Sequence, residues 1–479
     1  MDTKINKNKE LNIWEALIPV VFLMLFLAYN IFFAEGELFG TYSNQIILVV
    51  SGVVAAIMGF LNKISANTMV KEIWHNLKSV FVPIIILLLV GALAGSWLIS
   101  GIIPAMVYYG LQVLNPTIFL PATIIICSII SIATGSSWTT SATVGIALIG
   151  IGTALGIPVG MIAGAVISGA YFGDKLSPLS DTTNLAPAMA GTDLFTHIRY
   201  MTLTTVPTYL ITLIVFVVLS LTVETNGNSD VSEILNTIKT TFNISPILFI
   251  VPGVVIGLIL LKTKPLIALG TGIVLALIFA LFLQPEIINS LSDSKVTALF
   301  NAIFNETLIS TSNEKLNELF SSKGMIGMLW TILLIISAMI FGGIMDGIGA
   351  LARITSVLLS FATSVFGLFA STVVSCLGLN IVASDQYLAL VIPGKMFKKA
   401  YEDKGLAPEN LSRTLEDSGT VTSVLIPWNT CGAYQSGVLG VGVGEYFIYA
   451  IFNWLSPITT LLFAAFNIKI KQLANTIKN

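Results

Sequence analysis

Apolar runs separated by short polar segments recur along almost the whole chain. A helix needs about 20 apolar residues to cross the hydrocarbon core of a bilayer. The stretches that reach or approach this length are 13–33, 45–62, 79–98, 116–134, 139–156, 158–173, 203–222, 246–262, 265–283, 326–349, 351–376, 411–426 and 443–467. Several are short or are interrupted by glycine and polar clusters. The pattern therefore predicts an all-α polytopic membrane protein of about 11–13 membrane segments, some of them discontinuous helices.

Composition supports this prediction and argues against other classes of protein. Hydrophobic residues make up 55% of the 479 residues and charged residues 10%, whereas a soluble domain has about 25% charged residues. The net charge of −2 argues against nucleic-acid binding, which needs a basic face. Three scattered cysteines and two histidines favour neither a disulfide framework nor a zinc site. Nucleotide-binding motifs are absent from the sequence, so we expect no cofactor and no enzymatic activity.

Basic residues in the loops predict the orientation, because Lys and Arg accumulate on the cytoplasmic side of a membrane. Lysines mark both termini, the 63–78 segment and the turn at 262–264, whereas acidic residues dominate 34–44, 223–245 and 284–325. The segments thus alternate between the two sides of the cell membrane, with both termini cytoplasmic. The first apolar run lacks a small-residue cleavage site, so we expect a retained helix there.

Two halves of the chain show a weak internal similarity. In the predicted orientation, residues 65–222 begin inside and end outside, whereas residues 325–467 begin outside and end inside. An offset of 249 residues places LSPLSDTT on LIPWNTCG, each with a proline at the same position. We therefore predict a single transporter domain of inverted-topology repeats with re-entrant hairpins, framed by helices at 1–62 and 246–283. At this level of identity, chance similarity is the alternative.

Two polar clusters predict the tips of re-entrant hairpins, because a helix can break inside a bilayer only where protein or water satisfies its backbone. The segment ATGSSWTTSAT, residues 133–143, presents Ser136, Ser137, Thr139 and Thr140. Hard cations prefer oxygen ligands of this kind. Asp385 stands alone within NIVASDQYLAL and predicts the second tip. An ordinary turn between two helices is the alternative in both places.

The segment GDKLSPLSDTTN, residues 173–184, carries Asp174, Lys175 and Asp181 between two apolar stretches. An ionisable residue held within the membrane indicates a functional site. A salt bridge in a surface loop is the alternative.

The corresponding segment of the second half, residues 412–434, places Asn429 and Thr430 at a proline break. It also carries Glu416 and Asp417, for which an interfacial position balanced by Arg413 is the alternative. A further acid, Asp346, ends an apolar helix and fits a site and a surface position equally well.

The stretch SGAYFGDKLSPLSDTTNLAPAMAGTDLFTHIRYM, residues 168–201, resembles the signature region of the NhaC family of bacterial sodium/proton antiporters. The resemblance extends over roughly residues 10 to 470. It implies an ion transporter with an inverted-repeat scaffold and two re-entrant hairpins. Because the family also includes exchangers of sodium lactate for malate and protons, and proteins associated with amino acids, the resemblance implies the fold more strongly than the substrate.

An antiporter needs a group that binds either Na⁺ or a proton, and a carboxylate shielded from water has this property. We predict that Asp174 and Asp181 form the centre and that Asp385 and Asp417 are further acids. Lys175 would pair with one of these acids. The neutral oxygen ligands predicted for an ion or substrate are Ser137, Thr139, Thr182, Asn184, Asn429 and Thr430, and Na⁺ itself is expected at Asp174, Asp181, Ser137 and Asn429. The first break is charged and the second is neutral, so we expect the ion nearer the first.

The alternative within transport is a Na⁺- or H⁺-coupled carrier of a small carboxylate or amino acid, such as a malate/Na⁺-lactate antiporter. Lys175 or Arg413 would then bind the substrate's carboxylate. A channel or an intramembrane enzyme fits less well, since the sequence has neither a repeated filter nor a nucleophile–base pair. The expected partners are therefore the lipid bilayer, sodium, the proton and, in the alternative, a small organic acid or amino acid. Oligomeric state stays open, a homodimer being one option.

Overall fold

The computed structural model describes residues 11–34, 37–113, 115–223, 228–261, 263–311, 316–317 and 320–473. In these ranges the regular secondary structure is helical apart from β1 (Leu38–Thr41), an antiparallel pair, β2 (Thr307–Leu308) and β3 (Ser321–Ser322), and a single bridge between Leu406 and Gln472. The lysines predicted to mark a cytoplasmic N-terminus lie outside the described residues.

The first part of the chain contains two framing helices followed by a helical block with two breaks. Its elements are α1 (Ile13–Phe33), α2 (Ser43–Leu61), α3 (Ala66–Ser79), α4 (Phe81–Ile99), α5 (Ile102–Val113), α6 (Pro116–Thr134), α7 (Ser137–Thr140), a π-helical turn (Ser141–Gly145), α8 (Ile146–Ala154), α9 (Val159–Leu176), α10 (Asp181–Ala190) and α11 (Leu194–Thr222).

The second part adds connecting helices and then a second broken block. Its elements are α12 (Asn228–Thr241), a 3-10 turn (Pro246–Phe249), α13 (Ile250–Leu260), α14 (Pro265–Leu283), α15 (Pro285–Leu291), α16 (Lys295–Phe304), α17 (Gly324–Gly327), α18 (Leu329–Gly347), α19 (Ala350–Ser360), α20 (Val365–Val382), α21 (Gln386–Asp403), α22 (Pro408–Leu415), a π-helical turn (Glu416–Thr420), a 3-10 turn (Ser423–Leu425), α23 (Thr430–Leu439), α24 (Val443–Tyr446), a 3-10 turn (Phe447–Tyr449) and α25 (Ile451–Ala465).

Eight helical segments among the described residues are long and apolar enough to cross a membrane, or ten when two bent helix pairs are each counted as one span. The bends are 86° and 51°. The predicted stretches 139–156 and 411–426 correspond to short helices joined by π-helical turns. The stretch 158–173 corresponds to α9, a continuous helix of 18 residues that is not among these eight. The all-α polytopic class predicted from the sequence is confirmed.

Burial follows the requirements of a bilayer. Large apolar side chains such as Phe282, which is 79% exposed, lie on the outside of the bundle, where lipid tails would cover them. Small residues lie where helices approach closely. A Cβ atom on Gly169 of α9 would lie 2.4 Å from the carbonyl oxygen of Ile124 on α6, so this contact requires glycine. Helix α9, which ends at the charged break, is thereby packed closely against α6.

Element boundaries in the two broken blocks recur at the predicted offset of 249 residues. The ten-residue helices α10 and α23 begin and end at corresponding positions. Each is followed by a glycine with positive φ, Gly191 and Gly440. A second such pair, Gly156 and Gly405, lies in the loops before α9 and α22. The order of elements therefore repeats. Their inverted relation across the membrane stays a prediction.

Candidate ion-binding site

The first predicted hairpin tip is a sharp reversal between α6 and α7. Gly135 ends α6 with φ +67°, and a Cβ atom on it would lie 2.5 Å from the Cβ of Leu179. Ser136 then caps α7, because its Oγ accepts the backbone N–H of Thr139 over 3.1 Å. This tip is therefore packed directly against the second break of the same block.

Asp174 is tied to that tip by two hydrogen bonds. The backbone N–H and the Oγ–H of Ser137 donate to Asp174 Oδ2 over 3.1 and 2.7 Å. The Asp174 side chain is 9% exposed and lies in the last turn of α9. Hydrogen bonds from a backbone amide and a hydroxyl stabilise the ionised carboxylate. Asp174 is thus a buried acid held in a defined orientation.

The break at residues 177–180 is stabilised by its own hydroxyl and amide groups. Ser180 caps α10, and Ser177 Oγ donates to the carbonyl of Ile132 over 2.7 Å. Asn184 Nδ2 donates to the carbonyls of Pro178 and Ser180 over 2.9 and 2.7 Å. Asn184, predicted as an ion or substrate ligand, therefore satisfies backbone groups that the break leaves unpaired.

The second block is broken in the same way but with different side chains. Asp385 caps α21, where its Oδ1 accepts the N–H groups of Tyr387 and Leu388 over 2.9 and 3.0 Å. The N–H of Thr430 donates to the carbonyl of Ser384 over 2.9 Å and joins this tip to the break before α23.

Asn429, predicted as a Na⁺ ligand, has both ends of its amide in structural hydrogen bonds. Its Oδ1 accepts the N–H of Cys431, and its Nδ2 donates to the carbonyl of Asn380, each over 3.0 Å. Asn429 therefore caps α23 and ties its start to the end of α20.

One cavity of about 570 Å³, which we call the Asp174 cavity, collects residues from all four breaks. The predicted site residues that line it are Thr139, Asp174, Asp181, Thr182, Asp385 and Thr430. Three carboxylates and several hydroxyls face one space, a set of oxygen donors that suits a hard cation. Ser136 also lines the cavity, whereas Ser137 reaches it through its hydrogen bonds to Asp174.

Lys175 and Asp417 lie apart from the residues that line the cavity. Lys175 forms a buried ion pair with Asp417 Oδ1, and both side chains are fully buried. The prediction that Lys175 pairs with one of the four acids agrees with this contact, and the partner is the acid from the opposite block. We call this contact the Lys175–Asp417 pair.

Hydroxyl groups around Asp417 were missed by the sequence analysis. Oδ2 accepts from Thr204 over 2.8 Å and from Thr460, and Oδ1 also accepts from Ser456 over 3.3 Å. A signal was present in the sequence, because Thr204, Thr208 and Thr212 recur every four residues on the otherwise apolar helix α11 and are all buried. Such spacing places them on one face of the helix.

The remaining candidate residues occupy other environments. Glu416, Asp417 and Arg413 are all fully buried within the protein, so none of the three lies on its exposed surface. Arg413 lies over the ring of Tyr200, 4.5 Å from its centroid. Asp346 lines a separate cavity of about 600 Å³ together with Arg353, and therefore belongs to neither the Asp174 cavity nor the Lys175–Asp417 pair.

Comparison with known proteins identifies the family. The sequence model of the Na⁺/H⁺ antiporter family matches residues 169–468. The Na⁺/H⁺ antiporter NhaC of Alkalihalophilus pseudofirmus is 39% identical over 431 residues, covering 89% of this chain and 92% of that protein. NhaC of Bacillus subtilis is 36% identical, covering 82% of this chain and 85% of that protein. The malate-2H⁺/Na⁺-lactate antiporter of Bacillus subtilis is 37% identical, covering 91% of this chain and 90% of that protein. The resemblance to the NhaC signature is confirmed, and the chain belongs to the Na⁺/H⁺ antiporter family of multi-pass membrane transporters.

Proposed function

We propose that this protein is a secondary transporter that exchanges Na⁺ for protons across the cell membrane, with Asp174 at the centre of its ion site. The observation that carries the proposal is the position of Asp174, a buried carboxylate that is oriented by Ser137 and lines a cavity with Asp181 and Asp385. The names of two relatives, each an NhaC Na⁺/H⁺ antiporter, support the same activity.

The chemistry of exchange follows from the surroundings of this carboxylate. Removal from water favours the neutral, protonated form of an acid, whereas a cation at the same oxygens favours the ionised form. Asp174 and Asp385 are buried, whereas Asp181 is exposed, so Na⁺ and a proton compete mainly for the first two acids. The hydroxyls of Thr139, Thr182 and Thr430 line the cavity and would replace part of the hydration shell of Na⁺.

We also propose that the two broken blocks are inverted repeats and that both chain termini lie on the cytoplasmic side. The recurrence of α10 as α23, and of the glycines that follow them, supports a repeat. The predicted orientation supports the inversion, because basic loops alternate with acidic ones. Rocking of the two blocks against the framing helices would open the Asp174 cavity to each side in turn.

A direct test uses everted vesicles or proteoliposomes that hold a proton gradient. Addition of Na⁺ should dissipate the gradient, and Asp174→Asn and Asp181→Asn should each abolish this response. Asp293→Asn, at an exposed position in the segment between α15 and α16, is the matched control and should leave the response unchanged. Wild-type dissipation in both site variants would refute the assignment of the ion site.

Coupled exchange of a small carboxylate is the second candidate function. Two observations favour it: the 37% identical relative is a malate-2H⁺/Na⁺-lactate antiporter, and a cavity of about 570 Å³ is far larger than the roughly 30 Å³ share of one water molecule. Neither Lys175 nor Arg413 lines this cavity, so the expected carboxylate contact with those side chains has no support. Uptake of labelled lactate, malate and amino acids, each with and without Na⁺, separates the two functions.

A further inference from the structure

Glu416 is a buried acid that the ion site leaves unexplained. Its side chain is fully buried in the π-helical turn after α22. Among the residues that the structure describes, neither Oε1 nor Oε2 has a hydrogen-bond partner. A buried carboxylate with so few donors carries a large desolvation cost in its ionised form, so an ionised Glu416 would be costly in this arrangement of the helices.

The π-helical turn is itself a local opening of the helix, and such turns occur frequently at functional sites. Two asparagine side chains satisfy carbonyls that the irregular backbone exposes. Asn380 Nδ2 donates to the carbonyl of Gly419 over 2.7 Å, and Asn453 Nδ2 donates to that of Val421 over 2.8 Å. The fold therefore supports the turn with dedicated side chains while it leaves the Glu416 carboxyl without a partner.

The charges around Glu416 explain why it differs from its neighbour Asp417. Asp417 is compensated by Lys175 and by the hydroxyls of Thr204, Thr460 and Ser456, whereas Glu416 lacks such hydrogen bonds within the described part of the chain. The Lys175–Asp417 pair is neutral as a whole. A second negative charge on Glu416 would have to share Lys175 with Asp417. The nearest other buried cation along the chain, Arg413, lies over the ring of Tyr200.

The other groups that act on Glu416 also link it to the ion site. The charged groups that act on it include Lys175, Asp174 and Asp417. Arg413, three residues earlier in the same helical segment, is also fully buried. The titratable thiol of Cys376 on α20 faces it as well, as does the hydroxyl-bearing Thr420. Asp174 and Lys175 are consecutive residues of α9, and Asp174 lines the cavity while Lys175 contacts Asp417.

From this arrangement we infer that Glu416 carries the proton that exchanges against Na⁺, at a position separate from the Asp174 cavity. A cation bound at Asp174 adds positive charge beside Lys175, and both charges then favour the ionised form of Glu416. Binding of Na⁺ thus promotes loss of the Glu416 proton, and protonation of Glu416 promotes loss of Na⁺. This is the sign of coupling that exchange requires, and no atom needs to be shared by the two ions.

This inference rests on the proposed Na⁺/H⁺ exchange with Na⁺ at Asp174. It assigns the exchanged proton to Glu416 instead of to Asp174 itself, and so makes a different prediction from a single shared site. The experiment measures two activities of purified protein in liposomes: Na⁺-driven proton movement, with a pH-sensitive dye, and exchange of labelled against unlabelled Na⁺, which moves no proton. Glu416→Gln should lose the first and keep the second. Asp174→Asn should lose both. Glu402→Gln, which removes an exposed glutamate at the end of α21, is the matched control and should keep both.

Each outcome bears on one of the two proposals. Na⁺-driven proton movement in Glu416→Gln at the wild-type rate would overturn the assignment of Glu416. If Glu416→Gln loses both activities or does not fold, Glu416→Asp decides, because it retains a titratable carboxyl. Recovery of proton movement in Glu416→Asp supports the assignment, and its absence overturns it. By contrast, a wild-type protein without any Na⁺-driven proton movement contradicts the proposed exchange itself.

Discussion

The Lys175–Asp417 pair provides the sharpest test of how the two broken blocks hold together. Lys175→Met removes the ammonium group but keeps a long unbranched side chain. Asp417 would then be ionised and fully buried with only the three hydroxyls of Thr204, Thr460 and Ser456 as partners. Removal of one partner of a buried ion pair typically costs about 3–5 kcal/mol, because the other charge stays buried and uncompensated. We expect a loss of free energy of unfolding in this range for Lys175→Met.

The double variant separates the charge effect from simple loss of packing. Lys175→Met with Asp417→Asn removes both charges and leaves an amide that can still accept from the hydroxyls. We expect a cost of about 1–2 kcal/mol, on the scale of one or two neutral hydrogen bonds. The double variant should therefore be more stable than either single variant.

The assay is unfolding of purified protein in detergent micelles by heat or denaturant, read for the wild type, both single variants and the double variant. Asp181→Asn removes an exposed charge and should change the unfolding free energy by no more than about 0.5 kcal/mol. If the cost of the double variant equals the sum of the two single costs, the side chains are energetically independent. That result would refute the argument that each charge compensates the other inside the protein.

Three further predictions concern the Asp174 cavity. Gly135→Ala should destabilise the protein more than Gly440→Ala, and thermal unfolding measures the difference. Both glycines have positive φ, which costs a residue with a side chain about 1–2 kcal/mol. Only at Gly135 would the added methyl group also collide with a neighbour, Leu179. Leu179→Cys should react with a cationic thiol reagent and be protected by Na⁺, because Leu179 lines the cavity and the three native cysteines are buried; equal labelling with and without Na⁺ would contradict Na⁺ binding there. Na⁺ at about 100 times its dissociation constant should raise the free energy of unfolding by about 2.7 kcal/mol, and Asp174→Asn should lose this effect, with choline as the control cation.

The breaks of this fold could be predicted from the sequence because their causes are local. Gly135 provides the positive φ that ends α6, and Ser136, Ser180 and Asn429 cap the helices that follow. A cluster of glycine, proline and short polar residues within an apolar stretch indicates both a residue that can take positive φ and a residue that can cap the next helix. These residues reveal where the helix stops without any knowledge of the tertiary structure.

The partner of each polar side chain could not be predicted in the same way. Asn184 and Asn429 have the chemistry of ion ligands, yet their amides hydrogen-bond to the backbone, because buried backbone polar groups need partners. Asn184 binds carbonyls at its own break, and Asn429 binds the N–H of Cys431 and the carbonyl of Asn380 on α20. Lys175 and Asp417 are 242 residues apart in the chain, and only the packing of α9 against the opposite block brings them together. Local pattern therefore predicts the existence of a polar break, and tertiary packing decides which group faces the cavity.

The expected charge asymmetry between the two halves takes a more specific form in the structure. The break before α23 is neutral, as the sequence indicates, but the second block still supplies an acid, Asp385, from its hairpin tip. At the offset of 249 residues, Asp385 corresponds to Ser136 and Asp174 corresponds to Ser423. One block thus carries a hydroxyl at the tip and an acid on the helix that leads to the break, and the other block carries the same two groups exchanged.

The swapped positions of the acid and the hydroxyl in the two blocks matter for transport. If both blocks carried identical acids at equivalent positions, the two ends of the site would be chemically alike. Here Asp174, the acid on the helix, is adjacent in sequence to Lys175, which forms the ion pair with Asp417 of the other block. Asp385, the acid at the tip, accepts hydrogen bonds through one oxygen from the backbone of its own helix. A cation at Asp174 therefore acts on a charged pair that joins the two blocks, and a cation at Asp385 acts mainly on α21. The expectation that the ion lies nearer the first break acquires a physical reason, since ion binding there perturbs a charged contact between the blocks that alternating access would have to move.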